Sequence, residues 1–295
     1  MRIYYQSPLV PWRSERTTLA LEQGLFGNPR VELVSDPNDA ECILLPCTFF
    51  GRKMLNYPNP FPPEKTLFVD WWDAATDVHV LECRVYFKRS WAQYRQHADF
   101  VERVPGVWPV RFHPTSFSLL DEYLVEERPE RVFDVGCFLG RVGPVYFNRL
   151  NVLRVCEELC AERKQLGVVG SLGPQGRAGF NVDFYRAMRA SRIVVTCQPD
   201  YWEGDYRTWE AFASGALVVI DRMFTPLPYP FVDGEHCIIY DVNPSGLRRM
   251  RERVEYYVEH PQEAAQIAAQ GFEHAMWYHR PRNRLDTMLD VWERL

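Results

Sequence analysis

The sequence predicts an α/β chain built as two Rossmann-like lobes, each a parallel sheet flanked by helices, with a cleft between them. Three observations carry this expectation. The chain has 295 residues, beyond the roughly 250 at which one core tends to split in two. Short apolar runs alternate along it with stretches of helical spacing, the pattern of strand-helix-strand units. A polar, proline-containing segment near the middle, DEYLVEERPER at residues 121–131, is followed by a fresh strand at Val132. The expected lobes are residues 1–128 and 129–278, with residues 279–295 forming a C-terminal helix that crosses back to the first lobe.

Taken in order, the expected strands of the first lobe are RIYYQ, CILLPC, TLFVD and RVYFK, and those of the second are VFDVG, LGVVG, RIVVTC, ALVVID and CIIYD. Pro/Gly breaks or amphipathic stretches separate most of them. NYPNPFPPEK reads as a proline-rich loop. In PSGLRRMRERVEYYVEHP, Leu247, Met250, Val254, Tyr257 and Val258 fall at helical spacing with charges opposite, which predicts an amphipathic surface helix. PQEAAQIAAQGFEHAMWYH and PRNRLDTMLDVWERL each open on a proline suited to a first helical turn.

Composition narrows the function classes. A hydrophobic content of 46% with 25% charged residues is that of an ordinary globular protein. The net charge of -5 gives no general attraction for nucleic acid, so an anionic ligand needs a local basic site. MRIYYQSPLVPW lacks the basic start and apolar core of a signal peptide, and no run approaches the ~18 apolar residues of a membrane span. A cytoplasmic chain is expected on that reading. The eight cysteines are scattered without zinc-finger spacing and read as buried free thiols. Composition says nothing about oligomeric state.

The chemistry concentrates in RIVVTCQPDYWEGDYRTWEAFASGALVVID, which reads as a buried strand, a polar loop, a short helix ended by Gly215 and a second buried strand. Ligands in such units collect beyond the carboxyl ends of the strands, so the loop from Gln198 to Asp205 and the first helical turn would line the cleft. Asp205 is the expected N-cap, followed by Tyr206. Helix dipole, first-turn amides and Arg207 together suit a diphosphate. Glu210, one turn on, suits two hydroxyls of a ribose. Spacing alone equally allows Arg207 and Glu210, three apart, to pair with each other.

YRTWEAFASGALVVID resembles the donor-binding segment of GT-B glycosyltransferases, most closely exostosin-like enzymes and related bacterial and viral families. Arg207, Glu210, Ala211, Gly215 and Asp221 fill that segment's positions. The following PYPFVDGEHCIIYD, the preceding FNVDFYRAMRASRIVVTCQ, and RVFDVGCFLG with Arg149 and Arg154 downstream are similar to its neighbours. The resemblance implies a GT-B fold and a nucleotide-sugar donor, UDP before GDP, bound by Arg207, Glu210, Asp205, Tyr206, Gln198, Gly140 and Arg141. Ser191 is a further base contact on that reading. It also implies transfer of a hexose or pentose, with inversion, to a glycan acceptor hydroxyl.

In the first lobe, TLFVDWWDAATDVHV sets Asp70 and Asp73 at or beyond a strand end facing the cleft, where an inverting transferase needs a base. Asp73 is the first candidate, with Asp70 second; helix capping is the alternative. Trp71 and Trp72 are core or sugar platform, and Lys88 and Arg89 either reach the donor phosphates or are solvated. No DxD triplet occurs, which favours a metal-independent site needing no cofactor, its leaving diphosphate held by cations and amides.

Two rival readings remain open at this point. VFDVGCFLGRVG is similar to the first motif of S-adenosylmethionine methyltransferases, with Phe138 in the place of a middle glycine. A non-catalytic sugar-binding protein on the same lobes is the other.

Overall fold

The computed structural model describes residues 1–6, 19–47, 59–71, 82–89, 111–124, 129–139, 147–162, 167–169, 182–198, 205–223, 225 and 227–295. They form two sheets in which every strand pairing is parallel. The first sheet contains β1 (Arg2–Tyr5), β2 (Glu32–Leu33), β3 (Cys42–Pro46), β4 (Thr66–Asp70), β5 (Val85–Lys88) and β6 (Arg111–Pro114) in the order β2-β1-β3-β4-β5-β6. The second contains β7 (Phe133–Cys137), β8 (Gly167–Val169), β9 (Ser191–Thr196), β10 (Leu217–Asp221) and β11 (Ile238–Tyr240) in the order β11-β10-β9-β7-β8. Among the described residues, six α-helices accompany the second half: α1 (Phe147–Glu162), α2 (Val182–Arg189), α3 (Tyr206–Ala213), α4 (Pro244–Glu259), α5 (Pro261–Tyr278) and α6 (Pro281–Glu293). The short segment 19–25 is also helical.

Continuous apolar runs are what a parallel sheet covered on both faces requires. Along β9 and β10, side chains alternate between two cores, as a period of two dictates. Ile193, Val195, Leu217 and Val219 face Val152 and Leu159 of α1, Met250 and Val254 of α4 and Ile267 of α5. Val194, Val218 and Ile220 point the other way, into a cluster with Tyr185 and Met188 of α2 and Trp209 and Phe212 of α3. That second cluster continues without a break into the first lobe through Phe117, Leu119, Phe68 and Tyr86. β2 and β6 were not expected from sequence, because the first is two exposed residues and the second, RFHP, has one apolar side chain and a proline.

Residues after α5 return to the first lobe. Asn28 Nδ2 donates to Asp286 Oδ1 at 2.8 Å, and Arg30 reaches Asp290 at 2.7 Å and Glu293 at 2.9 Å. These partly exposed ion pairs contribute about 0–1 kcal/mol each. Burial of Leu285, Met288, Leu289 and Trp292 beside Leu21 and Leu25 contributes more, about 1.5–3 kcal/mol per side chain. All eight cysteines are free thiols, seven of them buried. No helix among the described residues is long and apolar enough to cross a membrane.

Close approach fixes one helix position. A Cβ on Gly271 of α5 would stand 2.0 Å from the carbonyl oxygen of His236, so the helix and the turn before β11 can meet only at glycine. Gly271→Ala is expected to destabilise the fold by ~1–3 kcal/mol, measured as a lower urea midpoint with unchanged m value.

Candidate functional site

In the second sheet the chain leaves β7 for β8 on one side and returns to β9 on the other, so the strand order reverses between β7 and β9. The carboxyl ends of such a pair open a crevice. β9 delivers Cys197 and Gln198 there, β10 ends on Asp221, and Asp205 with α3 stands beside them.

Asp205 caps α3 by accepting from the amide of Thr208 at 3.2 Å through Oδ1. Its other oxygen, Oδ2, accepts from Arg149 Nη2 at 2.6 Å and from Arg207 Nη1 at 3.3 Å. Arg149 also donates through Nε to the carbonyl of Cys197 at 2.9 Å, tying the start of α1 to the end of β9. Arg149 and Asp205 are both buried, at 5% and 6% exposure. Two guanidinium groups thus share one carboxylate at the positive end of a helix dipole, and the trio keeps a net positive charge.

Asp221 does not cancel that charge at neutral pH. Burial raises its carboxyl from 3.8 to about 8, against the hydrogen bond from the Gln198 amide and the field of Arg149, while Asp205 pushes in the same direction as burial. The Gln198 N–H donates to Asp221 Oδ1 at 2.8 Å. The side-chain amide of Gln198 is buried, and among the described residues neither its Nε2 nor its Oε1 has a hydrogen-bond partner. An amide in that condition costs about 1–3 kcal/mol and marks a place where a polar ligand group fits. Glu210, 1% exposed, lies close enough to Tyr185 for its charge to help hold that phenol protonated, although burial of Tyr185 is the larger cause.

The first lobe meets this site through stacked rings. Trp71, just past β4, stacks on Phe117 at 5.0 Å between centroids, and Phe117 stacks on Tyr206 at 4.0 Å. The Arg89 guanidinium lies 4.4 Å over Phe117 and donates through Nε to the carbonyl of Trp71 at 3.0 Å. At the end of β4, Asp70 Oδ2 accepts from Lys88 Nζ at 2.8 Å and Tyr86 Oη at 2.6 Å, with both charged groups fully enclosed.

Residues 153–290 match the family model described as Glycosyl transferase-like. Among solved structures, HepE from Anabaena in complex with UDP and glucose superposes with a TM-score of 0.56 at 10% identity, covering 100% of each chain. The chain has the GT-B glycosyltransferase fold. A mutant of S. aureus TarM in complex with fondaparinux, alpha-GlcNAc-glycerol and UDP gives 0.53 at 11% identity, over 77% of this chain and 51% of TarM. TarM in a second structure gives 0.51 at 12%, over 77% and 50%. The chain therefore spans about half the length of TarM and the whole of HepE. No curated protein sequence matches it. Identities this low concern the GT-B fold alone.

Within the GT-B frame, Asp205, Tyr206, Arg207, Gln198, Asp221 and Arg149 gather at one crevice, with Glu210 one turn along α3. Arg207 lies against Asp205. Lys88 and Asp70, expected in separate roles, are joined in one enclosed ion pair, so the Lys88 ammonium is committed to Asp70. Ser191 opens β9 at the end of the strand opposite Gln198, roughly 20 Å away at 3.3 Å per residue, and its hydroxyl bonds to Ala187. Arg154 is exposed on α1. Asp73, Trp72, Gly140 and Arg141 lie outside the described residues. Phe138 is buried edge-on against Phe184 at 5.3 Å, packing the position where the methyltransferase motif would need a glycine. Phe117 and the pairing of Arg149 with Asp205 were not expected; both depend on contacts between distant segments that leave no local pattern.

The buried carboxyl of Asp221 generates a pH signature. Between about pH 4 and about 8 the folded chain holds a proton that the unfolded chain has released. Stability therefore falls as pH rises through that window and levels off above it. Asp221→Asn, which keeps an oxygen acceptor for Gln198, is expected to flatten this fall when urea unfolding is compared at about pH 5 and about pH 8. The same fall in both proteins would remove Asp221 as its source.

Proposed function

We propose that the chain is a metal-independent, inverting glycosyltransferase that moves a sugar from a nucleotide-sugar donor to a hydroxyl of a glycan acceptor. A UDP-sugar is the favoured donor and a GDP-sugar the second choice. The observation that carries this reading is the convergence of Arg149 and Arg207 on Asp205 at the start of α3; Asp205 and Arg207 lie within the segment matched by the glycosyl transferase-like family, and Arg149 just before it. HepE and TarM are structures solved with UDP, which supports the choice of nucleotide.

On this reading the diphosphate lies against the first turn of α3 and Arg207, the ribose hydroxyls bond to Glu210, and the amide of Gln198 meets the base. The acceptor hydroxyl attacks the anomeric carbon, giving up its proton to Asp73, while the bond from that carbon to the diphosphate oxygen breaks. The electron pair leaves with the nucleoside diphosphate, whose growing charge is met by arginine and helix amides already oriented for it. Arg149 acts through Asp205, holding the helix start in place.

Glu210→Ala is expected to weaken UDP binding ~10- to 100-fold, because a hydrogen bond to a charged group is worth about 1.5–3 kcal/mol; calorimetric titration reads this directly, and unchanged affinity would return Glu210 to a packing role. Asp73→Asn should lower transfer at least ~100-fold while UDP binding persists. Normal turnover in that variant, followed with a panel of nucleotide sugars, would remove Asp73 as the base.

A further inference from the structure

At the end of β9 two buried side chains carry polar atoms without a hydrogen-bond partner among the described residues: the Thr196 hydroxyl and both polar atoms of the Gln198 amide. Thr196 is 2% exposed and Gln198 1%. A buried polar group left unpaired lowers stability, and each one in a native structure needs an explanation. The main chain around them is fully engaged. The Gln198 N–H donates to Asp221 Oδ1 at 2.8 Å, and the Thr196 carbonyl accepts from Tyr240 Oη at 2.8 Å. The backbone is thus pinned while the two side chains stay unbonded.

Their placement sets them on one side of the sheet. Cys197, between them, packs into the cluster on the α1 face, whereas Val194, two residues before Thr196, packs into the cluster on the α2 and α3 face. The period of two puts Thr196 on the α3 face, and Gln198 follows it past the strand end, where the crevice opens. Positions two apart on an extended chain stand roughly 6–7 Å from each other, so one ligand edge can meet both side chains. The surroundings decide what that edge is. Neither group is charged, and Val194, Ile220 and Trp209 belong to the apolar cluster on the same face. A diphosphate suits Arg207 and the first turn of α3, and ribose hydroxyls suit Glu210. A flat neutral ring with apolar faces and polar edge atoms suits Thr196 and Gln198, because a hydroxyl and an amide can each both donate and accept.

We propose that Thr196 is a second base-recognition residue, its hydroxyl bonding the polar edge of the nucleotide's heteroaromatic base beside the Gln198 amide. This rests on the proposed nucleotide-sugar donor and adds to it a residue inside a strand, where no motif marks it. The hydroxyl then weakens the ligand-free chain and is satisfied on binding, so its removal should move stability and affinity in opposite directions.

Thr196→Val, which removes the hydroxyl and keeps the shape, is the deciding variant, with Thr196→Ser as its control. Wild type and variants are titrated calorimetrically with UDP and with uridine, or with GDP and guanosine if GDP binds more tightly, and the Tm of each ligand-free chain is measured. Thr196→Val should bind nucleotide and nucleoside ~3- to 10-fold more weakly, the loss expected for one neutral hydrogen bond, while its Tm stays at or above that of the wild type. Thr196→Ser should bind both within about 2-fold of the wild type, since it keeps the hydroxyl. Unchanged affinity of Thr196→Val for a nucleotide that the wild type binds would overturn the assignment of Thr196 and leave the donor reading standing. A lower Tm with unchanged affinity would overturn it too, and mark the hydroxyl as a partner of buried water. A loss confined to the nucleotide, with nucleoside affinity kept, would move the effect to the diphosphate and overturn it as well. A wild type that binds neither UDP nor GDP would overturn the donor reading and this assignment together.

Discussion

The buried pair of Arg149 and Asp205 fixes the place where three elements meet. Through it the start of α1, the end of β9 and the first turn of α3 are joined by one guanidinium and one carboxylate. Enclosing both charges carries a large desolvation cost, and removing either partner would strand the other at a cost of about 3–5 kcal/mol. Further hydrogen bonds offset part of that cost: Arg149 also donates to the Cys197 carbonyl, and Asp205 also accepts from the Thr208 amide. With Arg207 drawn to the same carboxylate, two guanidinium groups meet one carboxylate among the described residues at the helix start. Asp221 nearby adds little negative charge because burial keeps its proton on up to about pH 8. This local excess of guanidinium groups stands in a chain whose net charge is -5.

The relation of the two lobes rests on ring stacking and a shared core more than on ion pairs. Phe117 lies between Trp71 of the first lobe and Tyr206 of the second, and Arg89 covers it. Below it, Arg284 of α6 sits 5.3 Å over the fully buried Trp209 and donates to the carbonyl of Phe117 at 3.4 Å. The helix that carries Tyr206, Arg207 and Glu210 on one side therefore carries Trp209, its anchor to the returning C-terminal helix, on another. Packing between the lobes and the position of the candidate donor site are consequences of the same eight residues of α3.

Much of the architecture was legible because parallel strands buried on both faces spell themselves out as continuous apolar runs, as in CILLP and LVVID. The short strands β2 and β6 carry no such signal. At the site, the N-cap at Asp205 and the helix end at Gly215 follow from local chemistry, and both are found, with Gly215 at a φ of 68°. The partner of Arg207 did not follow: spacing allowed Glu210, whereas the structure shows Asp205, because Arg149 from a segment 56 residues earlier fixes that carboxylate in reach. Lys88 and Asp70 illustrate the same limit, since adjacency of β4 and β5 in the sheet, not sequence spacing, brings them together.

A calorimetric comparison of UDP with uridine reads the proposed recognition of a diphosphate by the start of α3. Charge-assisted hydrogen bonds to the diphosphate should make UDP bind at least ~10-fold more tightly than uridine, and added salt should narrow the difference. Equal affinity for the two ligands, or stabilisation of the chain by S-adenosylmethionine and not by UDP, would contradict it.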